Sequence, residues 1–134
     1  MKVEEFMTTR IESVDADGTV YDAVEKMVDR RIRALMVKFD EKDSNSGVIT
    51  ARDIVFKVLA KGENPRDIKV SEIASRPLVC IDRHMNIMEV ASIMQEKNVA
   101  RVFVRDGEEI IGVVALLDLM AGSLIIRARG DYVS

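Results

Sequence analysis

The stretch GVITARD (47–53) passes from an apolar run to a polar cluster within one turn, and GVVALLD (112–118) repeats it. The glycine, the following valine and the closing aspartate are kept. Thr50 and Arg52 have become Ala115 and Leu117. A strand that ends in a helix start is the local reading of both copies, and the fold follows from how far the similarity extends on either side.

It extends through almost the whole chain. At an offset of 67 residues Val3 meets Val70, Glu5 meets Glu72, Asp15 meets Asp82, Met27 meets Met94 and Val37 meets Val104. Past the loop DEKDSNS the offset falls to 65, because the second copy has the shorter GEEII there. Each repeat of roughly 60 residues is too short to cover its own core comfortably. The copies are therefore expected to pack together with pseudo-twofold symmetry and leave a cleft.

Both copies read as strand, helix, strand, strand, helix. Residues 11–15 and 78–82 are short extended segments. Val20, Ala23, Val24, Met27 and Val28 lie at helical spacing, as do Ile87, Val90, Ala91 and Met94. Thr19 with Asp22, and Asn86 with Glu89, are capping pairs at the helix starts. Residues 33–39 and 101–105 are buried-strand candidates, and Gly47 and Gly112 open another strand in each copy. Helices over 51–60 and 116–124 follow. The fold class is α/β, with a first unit over 1–62 including the N-terminal segment. A connector over 63–69 carries Pro65, a second unit covers 70–122, and 123–134 form a tail that frays or meets a second chain.

Composition bounds the chemistry. A 48% hydrophobic content argues against disorder, and 32% charged residues of both signs describe a solvated surface. The net charge of -3 and pI near 5.3 do not favour a binder of nucleic acid held by counterion release. Cys80 has no second cysteine to pair with, and His84 is the single histidine, so zinc clusters are excluded. No leader layout or membrane-length apolar run is present, and a cytoplasmic location is expected. Met27, Met36, Met88 and Met94 read as core packing, Cys80 as a small hydrophobe in a strand, and His84 as exposed. The basic run Lys26, Arg30, Arg31, Arg33 suits a helix C-terminus.

Two readings compete for GVITARD. Thr50 and Asp53 form a capping box, and Gly47 is a strand-edge glycine. Alternatively, the Asp53 carboxylate accepts the two cis hydroxyls of a ribose, with Thr50 as a hydroxyl donor and Gly47 allowing close backbone approach. A phosphate would meet the helix N-terminus, with Arg33 and Arg101, each where a helix gives way to a strand, as candidate cations; Arg52 is a further one. Ala115 cannot cap with its side chain, yet Asp118 persists.

The segments FMTTRIESVD, TVYDAVEKMVDRRIRALMV and GVITARDIV resemble the CBS domain, and so do their counterparts SRPLVCID, NIMEVASIMQEKNVARVFV and GVVALLDLM. A tandem pair resembles the Bateman module. The resemblance implies two β-α-β-β-α units packed through their sheets, with up to two clefts that take adenosine-containing ligands. Arg33 matches one phosphate-reaching position of the family and Arg101 the adjacent one, where the other copies have Ala100 and Ala34. The segments Thr9-Arg10-Ile11 and Arg76-Pro77-Leu78 match the part that borders the adenine, with Ile11, Leu78, Val48 and Val113 as apolar lining. It also implies a regulatory module without catalysis or a required cofactor. AMP, ADP, ATP or S-adenosylmethionine is the candidate ligand, a homodimer the expected assembly, and a separate effector protein the reader of the signal. With Thr50, Arg52 and Asp53 together, the first copy is expected to be the better phosphate-ribose site. The alternatives are a ligand-free dimerisation adaptor and a nucleic-acid-associated regulator.

Overall fold

Each repeat starts its regular structure with a three-residue strand and a capped helix. The chain, seen in a computed structural model, is described over residues 1–129, with side chains over 1–125. Strand β1 (Ser13–Asp15) leads into α1 (Val20–Arg30), where Thr19 Oγ1 accepts from Asp22 N at 3.1 Å and Asp22 accepts from Thr19 N at 3.2 Å. Strand β2 (Ala34–Lys38) runs parallel to β1 and antiparallel to β3 (Gly47–Thr50), and α2 (Ala51–Lys57) follows. In the second repeat β4 (Cys80–Asp82), α3 (Ile87–Lys97), β5 (Arg101–Asp106), β6 (Glu109–Ala115) and α4 (Leu116–Arg129) repeat this order. Asn86 caps α3 from Glu89 N at 2.9 Å. The result is mixed α/β, with sheet orders β1-β2-β3 and β4-β5-β6.

Helices α1 and α3 stop at equivalent residues, Arg31 and Asn98, both left-handed at φ 54° and 53°. That conformation ends a helix by turning the next amide back onto the last carbonyls. Asparagine adopts it more readily than arginine does. The expected loop GEEII is instead mostly strand. The turn shrinks to residues 107–108, with Gly107 at φ 64°, and a register shift at Val104/Arg105 absorbs the length difference.

The tertiary grouping is not the repeat boundary. One compact unit comprises Glu12–Leu78, and the other comprises Met1–Ile11 together with the chain from Val79 onward. Val3, fully buried, belongs to the core of Ile81, Val90, Val102, Val104 and Val114. Its repeat counterpart Val70, also fully buried, belongs to the core of Val20, Leu35, Val37, Ile49 and Val58. The segment that precedes each repeat in sequence therefore completes the core of the other. Backbone pairing does the same at the sheet edges. Thr8 and Val113 exchange two hydrogen bonds of 2.9 Å, and Val48 and Ser75 exchange bonds of 2.8 and 2.9 Å. In the unit that holds Met1–Ile11, Val3 N also donates to Met85 O at 2.6 Å, and Arg83 bridges Glu4 (2.6 Å) and Asp106 (2.8 Å).

Several helical expectations shift. Met27, Met36 and Met94 are buried, but Met88 is 77% exposed, and so is Val28 at 71%, beyond the buried stripe of α1. Helix α2 ends at Lys57 and passes into a 3-10 turn, Leu59–Lys61, rather than reaching residue 60 as one helix. Helix α4 continues to Arg129, so residues 123–129 are helix and not a tail; residues 130–134 lie outside the described residues.

Candidate functional site

The strand-to-helix turn at Thr50 is the full capping box. Asp53 N donates to Thr50 Oγ1 at 3.1 Å, and Asp53 Oδ2 accepts from Thr50 N at 2.9 Å. Asp53 Oδ2 also accepts from the Thr50 hydroxyl at 2.9 Å. A carboxylate has no proton to give, so the hydroxyl hydrogen of Thr50 is spent on Asp53. The expected role of Thr50 as a donor to an outside anion is thus taken up internally. The other oxygen, Oδ1, is 3.1 Å from Lys57 Nζ, one helical turn on, and Lys57 also donates to Ile73 O at 3.2 Å.

The second copy keeps only the amide among these partners. Asp118 Oδ2 accepts from Ala115 N at 2.8 Å, which is half of a capping box. Alanine supplies no competing hydroxyl, Leu117 stands where the first copy has Arg52, and the position equivalent to Lys57 is Gly122. A side chain at Gly122 would meet Ile87 Cδ1 at 2.9 Å and the Phe6 ring at 3.2 Å. Packing therefore favours a small residue here, and this chain has no lysine one turn after Asp118.

Gly47 permits a close approach, but the group approaching is the protein itself. A Cβ there would lie 2.5 Å from Ser75 O and 3.2 Å from Arg76 Cβ. Gly112 is confined by Met7 Sδ and by Thr8 O, the latter 3.2 Å from such a Cβ. The two glycines of the repeated motif are explained by the leading segments that pair beside Val48 and Val113.

The arginines are placed beside the helix starts. Arg33, exposed, accepts through its carbonyl from Ala51 N at 2.8 Å, next to the first residue of α2. Arg101 is the register partner of Ala115, and Leu116 N donates to Ala100 O at 3.2 Å. Arg52 is exposed, with its guanidinium 4.8 Å from the Phe56 ring centroid, a cation-π contact. Arg76 lies 3.9 Å over Phe39. Val48, Val113, Ile11 and Leu78 are half-buried rather than core; Arg10 and Pro77 are exposed in the segments that lead from one unit to the other. Within the unit of Glu12–Leu78 the structure brings Arg33 to the helix start that carries Thr50 and Asp53; within the other unit it brings Arg101 to the one that carries Asp118. Lys57 is the residue that motif reading missed, although an aspartate four residues before a lysine is a legible helix pair.

Other reactive groups are quiet. Burial pushes the Cys80 thiol up, more than Arg105 lowers it, so it stays protonated at neutral pH. His84 is exposed, 3.8 Å from Glu4. Among the described residues no group of three His, Cys, Asp or Glu side chains is placed to hold a metal ion, and no helix is long and apolar enough to cross a membrane.

Two sheets, each flanked by helices and built on a repeated strand-helix turn, define a tandem pair of CBS domains. A family model described as the CBS domain matches residues 3–60 and 70–124, and the chain belongs to that family. Such pairs are generally regulatory or ligand-binding modules. An uncharacterised protein of Methanopyrus kandleri is 31% identical over 103 residues, covering 76% of this chain and 52% of its own length. This chain therefore spans about half of that relative. Hypoxic response protein 1 of Mycobacterium tuberculosis is 30% identical over 115 residues, covering 86% of this chain and 80% of that protein. Among solved structures, a hexameric CBS-CP12 protein from bloom-forming cyanobacteria superposes with a TM-score of 0.87 at 28% identity, covering 95% of this chain and 73% of that one.

Proposed function

We propose that this CBS pair is a regulatory module that binds an adenosine-containing small molecule, such as AMP, ADP, ATP or S-adenosylmethionine, and carries out no catalysis. The observation that supports it is the repeated aspartate in the first turn of α2 and α4, half-buried in both copies. A carboxylate so placed accepts from both hydroxyls of a ribose. Arg33 immediately precedes β2 and Arg101 starts β5, both beside these turns, and they supply cations for phosphate. Ligand binding stabilises the folded chain, and an effector protein or self-association reads the change. With AMP at a hundredfold excess over its dissociation constant, unfolding is expected to become about 2.7 kcal/mol harder, seen as an upward thermal shift. No shift with any of the four ligands would sink this reading and leave an adaptor without ligand.

Self-association has its own support. Helix α4 exposes Leu116, Leu117, Met120, Leu124 and Ile125, and α2 with its 3-10 turn exposes Val55, Phe56 and Leu59. Val55 and Leu59 are the repeat counterparts of Met120 and Leu124, so the apolar face is itself duplicated. Patches of this kind on a small soluble domain mark interaction surfaces. A second copy of the chain is the occupant we assign, giving a homodimer or a multiple of it. Leu124→Glu is expected to lower the mass seen by sedimentation to that of the monomer. An unchanged oligomer would remove α4 from the interface.

A further inference from the structure

We infer that Lys57 occupies the first carboxylate, so that Asp118, and not Asp53, is the primary acceptor of a ribose diol. The inference rests on the adenosine reading above and reverses the site preference expected from the motif alone. Both oxygens of Asp53 are engaged: Oδ2 by the Thr50 amide and hydroxyl, both at 2.9 Å, and Oδ1 by Lys57 at 3.1 Å. Oδ2 already holds two donors, so a diol that donates to both oxygens must displace the Thr50 hydroxyl there and share Oδ1 with Lys57. Asp118 meets no such competition. Its Oδ2 accepts from the Ala115 amide at 2.8 Å, and among the described residues Oδ1 has no donor.

The substitutions between the copies have one direction. Thr50 becomes Ala115 and Lys57 becomes Gly122, so both side chains that satisfy the first aspartate are removed around the second. Phe6 and Ile87 crowd the position, so a Cβ there would have to push their side chains aside. Lys57, 46% exposed, is a displaceable plug rather than a permanent block. It lowers the affinity of the first carboxylate without abolishing it.

The test is calorimetric titration of the full chain with AMP and with 2′-deoxy-AMP, which lacks one donor of the diol. For the tighter equivalent the wild type is expected to prefer AMP by about tenfold or more, the loss of one hydrogen bond to a charged group. Asp118→Asn keeps an oxygen for the Ala115 amide and is expected to erase that preference. Asp53→Asn should retain it. Lys57→Met is expected to tighten the weaker equivalent about twofold to fivefold, the range of a half-exposed ion pair. Preference lost in Asp53→Asn and kept in Asp118→Asn would overturn the inference while leaving the adenosine reading intact. No binding of either nucleotide to any variant would overturn both.

Discussion

Replacing Val3 with aspartate is expected to destabilise the unit that contains the second repeat, although Val3 lies at the head of the first. The side chain is fully buried among Ile81, Val90, Val102, Val104 and Val114. A carboxyl there has no partner and must be buried either charged or protonated, at a cost on the order of 4 kcal/mol. Hydrogen exchange gives the distinguishing readout. Protection should fall across β4, β5, β6 and α3, while β1, β2, β3 and α1 keep theirs more fully. Val70→Asp is expected to produce the mirror result, because Val70 completes the other core. Loss confined to the repeat that carries the substitution would contradict the exchanged arrangement.

The second large effect is expected at Gly47. Alanine there would put a Cβ 2.5 Å from Ser75 O, and a backbone carbonyl that accepts from Val48 N, in a residue whose own amide donates to Val48 O, cannot yield as a side-chain tip can. Overpacking of this kind costs about 2–3 kcal/mol. Gly112→Ala presses on Met7 Sδ, the far part of a flexible side chain, and should cost about 1 kcal/mol. Urea denaturation of the two variants measures the difference. Equal losses would mean that the Ser75 carbonyl does not confine Gly47.

These two results bear on how the repeated motif is understood. Its glycines answer to the leading segments, and its aspartates answer to the helix starts. Asp53 is held by its own turn and by Lys57, whereas Asp118 is held by one amide. The groups lost between the copies are those that would otherwise compete for the second carboxylate. A richer polar cluster in sequence can therefore be a more self-satisfied one in structure.

Much of the fold was legible beforehand because it rests on local rules and on duplication. Thr19 with Asp22 and Asn86 with Glu89 are capping pairs that need only the residues within one turn. The strands over 34–38 and 101–106 follow from short apolar runs, and the order of elements follows from the repeat. Helix length was less legible. α4 is apolar on several faces, with five large side chains exposed, so periodicity gave no stop signal before Arg129. The turn at residues 107–108 was hidden because Ile110 and Ile111 alternate in burial only once β6 is paired.

The amino-acid sequence by itself determined the α/β class, the two repeats, the capped helices and the pair of aspartates at equivalent turns. Only the tertiary structure decided which core Val3 and Val70 complete, what confines Gly47 and Gly112, and which aspartate keeps an oxygen without a donor among the described residues. Caps and periodicity act within a turn or two of the chain. Burial of Val3 and confinement of Gly47 depend on residues that meet only after the chain has folded back on itself.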